Sequence, residues 1–189
     1  KPPSVAISTA YFNPAGFVLM ADELEQASRV RLLLGAEPQP EPPPIRRLDL
    51  PVSPERLASK ILRERLDTHD EGLALDRNLL GFSREASDAA RRLIDWIGGG
   101  LVEVRRLTDR FLHGKAFIVE GLGGGTMVGS SNFTHAGLAT NLELNLFNYL
   151  PGAVGDVDAW FDEQWEAAEP FDLAGLYAQR FEAFSPYWV

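Results

Sequence analysis

Residues 4–11 alternate apolar and small side chains, and that period of two predicts a strand. Asn13-Pro14 then marks a helix start, with Phe17, Leu19, Met20 and Leu24 forming one apolar face. The run RVRLLL at 29–34 reads as a second, buried strand. Prolines 38, 40, 42, 43, 44 and 51 make the following stretch a stiff, exposed connection rather than a core element. Ser53-Pro54 opens a helix to about Leu66, and residues 69–80 read as a loop with a short helix. Ser83 is an N-cap, with Ala86 where a capping box would place an acid, for a helix reaching Ile97. Gly98-Gly99-Gly100 ends it. Residues 101–107, 111–120, 126–130 and 142–149 follow as strands. A helix starting near Gly152 and a last one over 172–184 complete the chain. Helices alternate with strands and then several strands run together, which predicts an α/β fold, a mixed β-sheet flanked by helices on both faces.

The chain has 189 residues, with 45% hydrophobic and 24% charged, and this is globular composition rather than disorder. It contains no cysteine, so thiol catalysis, disulfides and Cys-ligated metal are excluded. The longest apolar runs fall far short of the roughly 20 residues needed to cross a bilayer, and no signal peptide opens the chain. A soluble, cytoplasmic location is the default. The chain starts on Lys1 and ends on Tyr187-Trp188-Val189, which points to a piece of a longer protein.

The net charge is −9, which argues against a general nucleic-acid binder. The charge is uneven. From Leu150 onward there are eight acids and one base, whereas 84–115 holds seven bases and five acids. A locally positive face therefore remains, and Arg105, Arg106 and Arg110 are candidates for tracking a phosphate backbone, with a solvated edge as the equal alternative.

The informative block runs from His113 to Asn145. At strand spacing His113 and Lys115 share a face, Ser130 and Asn132 share another, and Glu143 and Asn145 a third. Polar pairs at three neighbouring strand ends are costly to bury unless they serve one another or a ligand. A lysine, an imidazole, a hydroxyl and an amide suit a phosphate. The glycines of residues 121–125 read as a hairpin turn rather than a nucleotide loop. His135 and His69 read as surface residues, the three histidines lack metal-ligand spacing, and Trp160 and Trp165 read as helix packing.

His113-x-Lys115, with an acid at Glu120 and then Gly129-Ser130-Ser131-Asn132, resembles the HxKxxxxD…GSxN signature of the phospholipase D superfamily, in its single-motif, nuclease-like branch. Tyr11-Phe12, residues 29–38, Asn132-Phe133-Thr134 and residues 141–145 resemble a subgroup in which such a domain precedes bacterial Swi/Snf- or DEAD/DEAH-type helicases. The resemblance implies a phospholipase D-like domain over 1–170, with 35–82 a variable connection and helical insertion. Residues 171–189 would be a helix and linker towards a helicase motor. It implies metal-independent hydrolysis of DNA phosphodiesters, with no cofactor. His113 would form a phosphohistidine, Lys115, Ser130 and Asn132 would hold phosphoryl oxygens, and Glu143 would orient His113. Gly129, Asn145 and Glu120 would support them, Glu120 standing where the family has Asp. A complete family site needs two motifs, so a homodimer is expected. The alternative is a catalytically weak or inactive module of the same fold that binds nucleic acid or dimerises. Lipid hydrolysis is disfavoured, because no basic amphipathic helix offers a membrane surface.

Overall fold

The computed structural model describes residues 2–35, 84–110, 112–121 and 123–182. The prolines of the connection, the helix expected at 53–66, His69 and the linker expected after 182 lie outside the described residues. Strands β1 (Ser4–Thr9), β2 (Arg29–Leu34), β3 (Val102–Arg106), β4 (Lys115–Glu120), β5 (Gly125–Gly129), β6 (Asn145–Asn148) and β7 (Glu169–Pro170) form one sheet in the order β6-β5-β4-β1-β2-β3-β7. Strands β1, β2 and β3 are parallel to one another, while β4, β5, β6 and β7 join antiparallel. None of the described helices is long and apolar enough to cross a membrane.

The parallel part of the sheet is apolar on both sides. Ala6 and Ile7 of β1 and Leu32, Leu33 and Leu34 of β2 are fully buried, as an uninterrupted run requires. Odd-numbered β1 residues and even-numbered β2 residues meet α1 (Pro14–Val18), α2 (Ala21–Leu24), α3 (Arg84–Gly98) and α5 (Leu173–Glu182). There Ile7, Leu32 and Leu34 pack with Phe17, Leu24, Leu93, Ile97 and Leu173. The opposite face, with Ala6, Leu33 and Ile118, carries α4 (Pro151–Ala167) through Phe161 and Trp165. The expected architecture of a mixed sheet with helices on both faces is the observed one.

Three boundaries differ from the sequence reading, each for a local reason. The helix expected beyond Pro14 is broken, because Met20 takes φ −127° and ψ 7° between α1 and α2. Phe17, Ala21 and Leu24 still share a buried face, but Leu19 is exposed. Strand β4 begins at Lys115 instead of 111, since the Gly114 carbonyl accepts from the Ser8 hydroxyl at 2.8 Å rather than extending the ladder. Strand β6 begins at Asn145 instead of 142, because the Leu144 N–H is taken by the Ser130 hydroxyl at 3.0 Å. The hairpin between β4 and β5 holds, with Gly121 at φ 117° and Gly123 at φ 79°, a region that glycine enters without strain.

Beneath α4, Arg31 pairs with Glu120 at 2.9 Å, with Asp162, and with Asp158 at 3.6 Å. Three carboxylates surround one guanidinium. Burial, Asp162 and Glu120 together hold the Asp158 carboxyl above the ordinary aspartate range, against the pull of Arg31. The folded chain thus binds this proton more tightly than the unfolded chain. Charged Asp158 weakens the fold once the pH rises above the ordinary aspartate range. Asp158→Asn is expected to melt at an equal or higher temperature than wild type at neutral pH. The gain should disappear as the pH falls below that range, and thermal unfolding at neutral and acidic pH checks both.

Candidate active site

The candidate residues converge because of strand register. Lys115 pairs with Gly129, and Gly129 with Asn145, so one residue from each of β4, β5 and β6 lies in a single row. On the other side of β4 the pairing of Ser8 with Ala116 sets Thr9 beside Lys115. Lys115 is buried, at 4% exposure, whereas His113 is exposed in the segment leading into β4.

Ser130 follows β5 directly. Its hydroxyl donates to Glu143 Oε2 and accepts from the Leu144 N–H. The other carboxylate oxygen accepts from Asn141 Nδ2 at 3.2 Å. The hydrogen bonds from Ser130 and Asn141, with the Lys115 charge nearby, hold the Glu143 carboxyl below the ordinary glutamate range, and burial opposes them. Glu143 is therefore an anion set against a buried ammonium, and its charge survives to lower pH than that of an ordinary glutamate.

Ser131 and Asn145 form a second pair. Asn145 Nδ2 donates to Ser131 Oγ at 2.8 Å, and its Oδ1 accepts from the Ser131 N–H at 3.4 Å. Asn132 turns its Oδ1 inward, where it accepts from the Tyr11 N–H at 3.2 Å. The Thr9 hydroxyl donates to the Tyr11 carbonyl at 2.6 Å and accepts from the Phe133 N–H at 2.9 Å. The Gly-Ser-Ser-Asn turn is thereby laced to the end of β1. Gly129 admits no side chain, because a Cβ there would strike Asn145 Oδ1 and the Leu144 carbonyl.

Other candidates lie elsewhere. Glu120 ends β4 five residues beyond Lys115, which is about 17 Å at ~3.3 Å per residue. It binds the Ser4 hydroxyl and Arg31, so it takes no direct part in the cluster. Arg105 and Arg106 end β3, three strands from β4. Arg105 donates to the Trp165 carbonyl at 2.8 Å and lies over its ring, and Arg106 lies over Phe171. Arg110 is exposed beside Asp109. His135 is exposed, and its N–H donates to the Asn13 side chain at 3.2 Å. Trp160 and Trp165 both pack α4 onto the sheet, as helix packing predicts. Among the described residues no group of His, Asp and Glu is placed to hold a metal ion.

Sequence reasoning passed over Ser8, Thr9 and Asn141, and it read Trp160 as helix packing without its contact at Gly114. Two hydroxyls closing an apolar strand were a visible signal for Ser8 and Thr9. Nothing local marked the contact of Trp160 with Gly114, which spans 46 positions.

A family profile described as "Cardiolipin synthase, PLD-like domain" matches residues 3–165. Among solved structures, the chain is similar to Nuc from Salmonella typhimurium, a phospholipase D family member. The identity is 12%, the TM-score 0.49, and the match covers 89% of this chain and 81% of that one. NucT from Helicobacter pylori gives 11% identity, TM-score 0.48, and 89% and 82% coverage. TrmBL2, an archaeal chromatin protein with a described mode of DNA binding, gives 15% identity, TM-score 0.43, and 89% and 45% coverage. No curated protein matches the chain.

The Ser130–Glu143 pair carries its own test. Ser130→Ala removes the first cause of the lowered carboxyl, so the Glu143 pKa is expected to rise towards the ordinary glutamate value. Carboxyl-carbon NMR through an acid titration reads that shift, and an unmoved midpoint would disprove the pairing.

Proposed function

The chain belongs to the family of PLD-like domains, and on that premise we propose that it hydrolyses phosphodiester bonds, with DNA as substrate, through a phosphohistidine on His113. What supports the reading is the gathering of Lys115, Ser130, Asn132 and Glu143 at one end of the sheet, with His113 two residues before Lys115.

In this reading the His113 imidazole attacks phosphorus while the bond to the leaving oxygen breaks. That oxygen takes a proton from His113 of a second copy, the general acid. The same imidazole, now neutral, draws a proton from water. The water oxygen attacks phosphorus, the P–N bond breaks, and the product leaves with His113 restored. Lys115 supplies positive charge to the phosphoryl oxygens, and the Asn132 amide N–H groups supply hydrogen bonds. Glu143, kept ionised by Ser130 and Asn141, accepts from the far ring nitrogen of His113 and selects its tautomer. No step calls on a metal ion. Arg110 is the best placed of the three arginines to meet a nucleic-acid backbone. The resemblance to helicase-associated domains supports a place beside a helicase motor.

The second copy has a surface to occupy. Strand β6 is an edge, and Leu142, Leu144, Leu146, Phe147, Tyr149 and Leu150 are 59–104% exposed along it and its flanks. An apolar edge strand left bare invites pairing with another chain. This edge adjoins Ser130 and Glu143, so a two-fold dimer formed here brings two motifs together. Leu146→Glu is expected to give a monomer in sedimentation and to abolish cleavage. A monomeric wild type at high concentration would sink the shared site.

The bonding of the Ser130 hydroxyl to Glu143, where a phosphoryl ligand was expected, favours a second reading in which the domain binds nucleic acid or dimerises without cutting. Cleavage of single- and double-stranded DNA in EDTA separates the two. Wild type is expected to cut, and His113→Ala to lose roughly a thousandfold or more. Binding without cutting transfers the assignment to the second reading, and equal cutting by both proteins overturns the site.

A further inference from the structure

Strand β4 is tied to α4 at both ends. At its start, Gly114 turns a bare Cα towards the six-membered ring of Trp160. A Cβ there would sit 2.6 Å from Cη2 and 2.9 Å from Cζ2. The carbonyl of the same residue accepts from Ser8, which is fully buried. The backbone between His113 and Lys115 is thus gripped from the α4 side of the sheet.

At the other end, Glu120 accepts from Arg31 at 2.9 Å. Arg31 also binds Asp162 and lies 4.9 Å over the ring of Phe161. One guanidinium, its side chain only 14% exposed, therefore couples the end of β4 to α4. Asp158 and Asp162 stand one turn apart on the helix. At ~100° per residue Trp160 lies about 200° around from Asp158, on the opposite flank. Helix α4 presents one flank to each end of β4.

We propose that α4 acts as a splint for the site, with Trp160 a positioning residue for His113 and Glu120 acting on that histidine only through Arg31 and α4. The proposal rests on reading His113 as the reacting group. The physical reason is the glycine. Gly114 is the most mobile residue the chain could place beside a reacting group, and the indole restricts it where no Cβ can. A displacement of about 1 Å at a reacting atom can cost ~100-fold in rate. The same link explains why Glu can stand where the family has Asp. The position requires a carboxylate on Arg31, and the longer side chain meets it while also binding Ser4.

The test uses Trp160→Ala, Trp160→Phe, Glu120→Gln and the Trp160→Ala/Glu120→Gln pair in the full chain. It reads the His113 ring resonance by NMR without substrate, together with kcat and KM on bis(p-nitrophenyl) phosphate. Trp160→Ala is expected to move the His113 resonance, and to lower kcat about tenfold to a hundredfold with KM little changed. Trp160→Phe should restore most of both. Glu120→Gln should move the same resonance in the same direction, and that effect should vanish when Trp160 is already Ala. A His113 resonance that stays put in Trp160→Ala and Glu120→Gln, while melting temperatures fall, overturns the proposal. So does a Glu120→Gln effect undiminished in the double variant. If the resonances move as expected but wild type does not cleave, the splint stands and the hydrolase reading fails.

Discussion

The antiparallel pairing of β4 against β1 is the constraint on which the rest depends. Its register runs from Ser4 opposite Glu120 to Ser8 opposite Ala116. It sends Lys115, Phe117 and Val119 to one face of the sheet and Ala116, Ile118 and Glu120 to the other. A slip of one residue would exchange those faces. Lys115 would then point under α4, and Glu120 would leave Arg31 for the apolar face that holds Phe117. Because Ile7 and Ala6 are both fully buried, neither face of β1 tolerates the exchange. Core packing and the chemistry of the site are therefore fixed by the same set of hydrogen bonds.

The charges divide along the same line. The chain is strongly acidic, yet two of the acids in its acidic second half, Asp158 and Asp162, face Arg31 instead of solvent alone. At the other end of β4 the buried cation is Lys115, and Glu143 answers it. One strand thus carries a cation-centred cluster near each end. The arginine cluster holds a helix in place. The lysine cluster leaves a histidine exposed beside it, an arrangement suited to binding an anion.

The two edges of the sheet are treated differently. Strand β7 is a two-residue cover on β3, and the chain then passes into α5, which packs on the core through Leu173 and Tyr177. Among the described residues strand β6 has no such cover, and its apolar residues are exposed. A solvent-facing edge would be expected to carry charge or proline. The bare edge lies on the side of the sheet that holds the candidate site, so whatever covers it lies next to Ser130 and Glu143.

Much of this was legible along the chain. The strand at 29–34, the glycine turn after β4, the helix after residue 150 and the three polar strand ends follow from periodicity, turn chemistry and two-residue spacing, which are local properties of the backbone. The odd spacing from Lys115 to Glu120 already implied opposite faces, so the separation of Glu120 from the site was also there to be read. The break at Met20, the late starts of β4 and β6, the capture of Ser130 by Glu143 and the seat of Trp160 on Gly114 were not. Each depends on side chains or carbonyls from distant positions competing for a backbone group or a space. Such competition is settled only when the sheet and its helices come together.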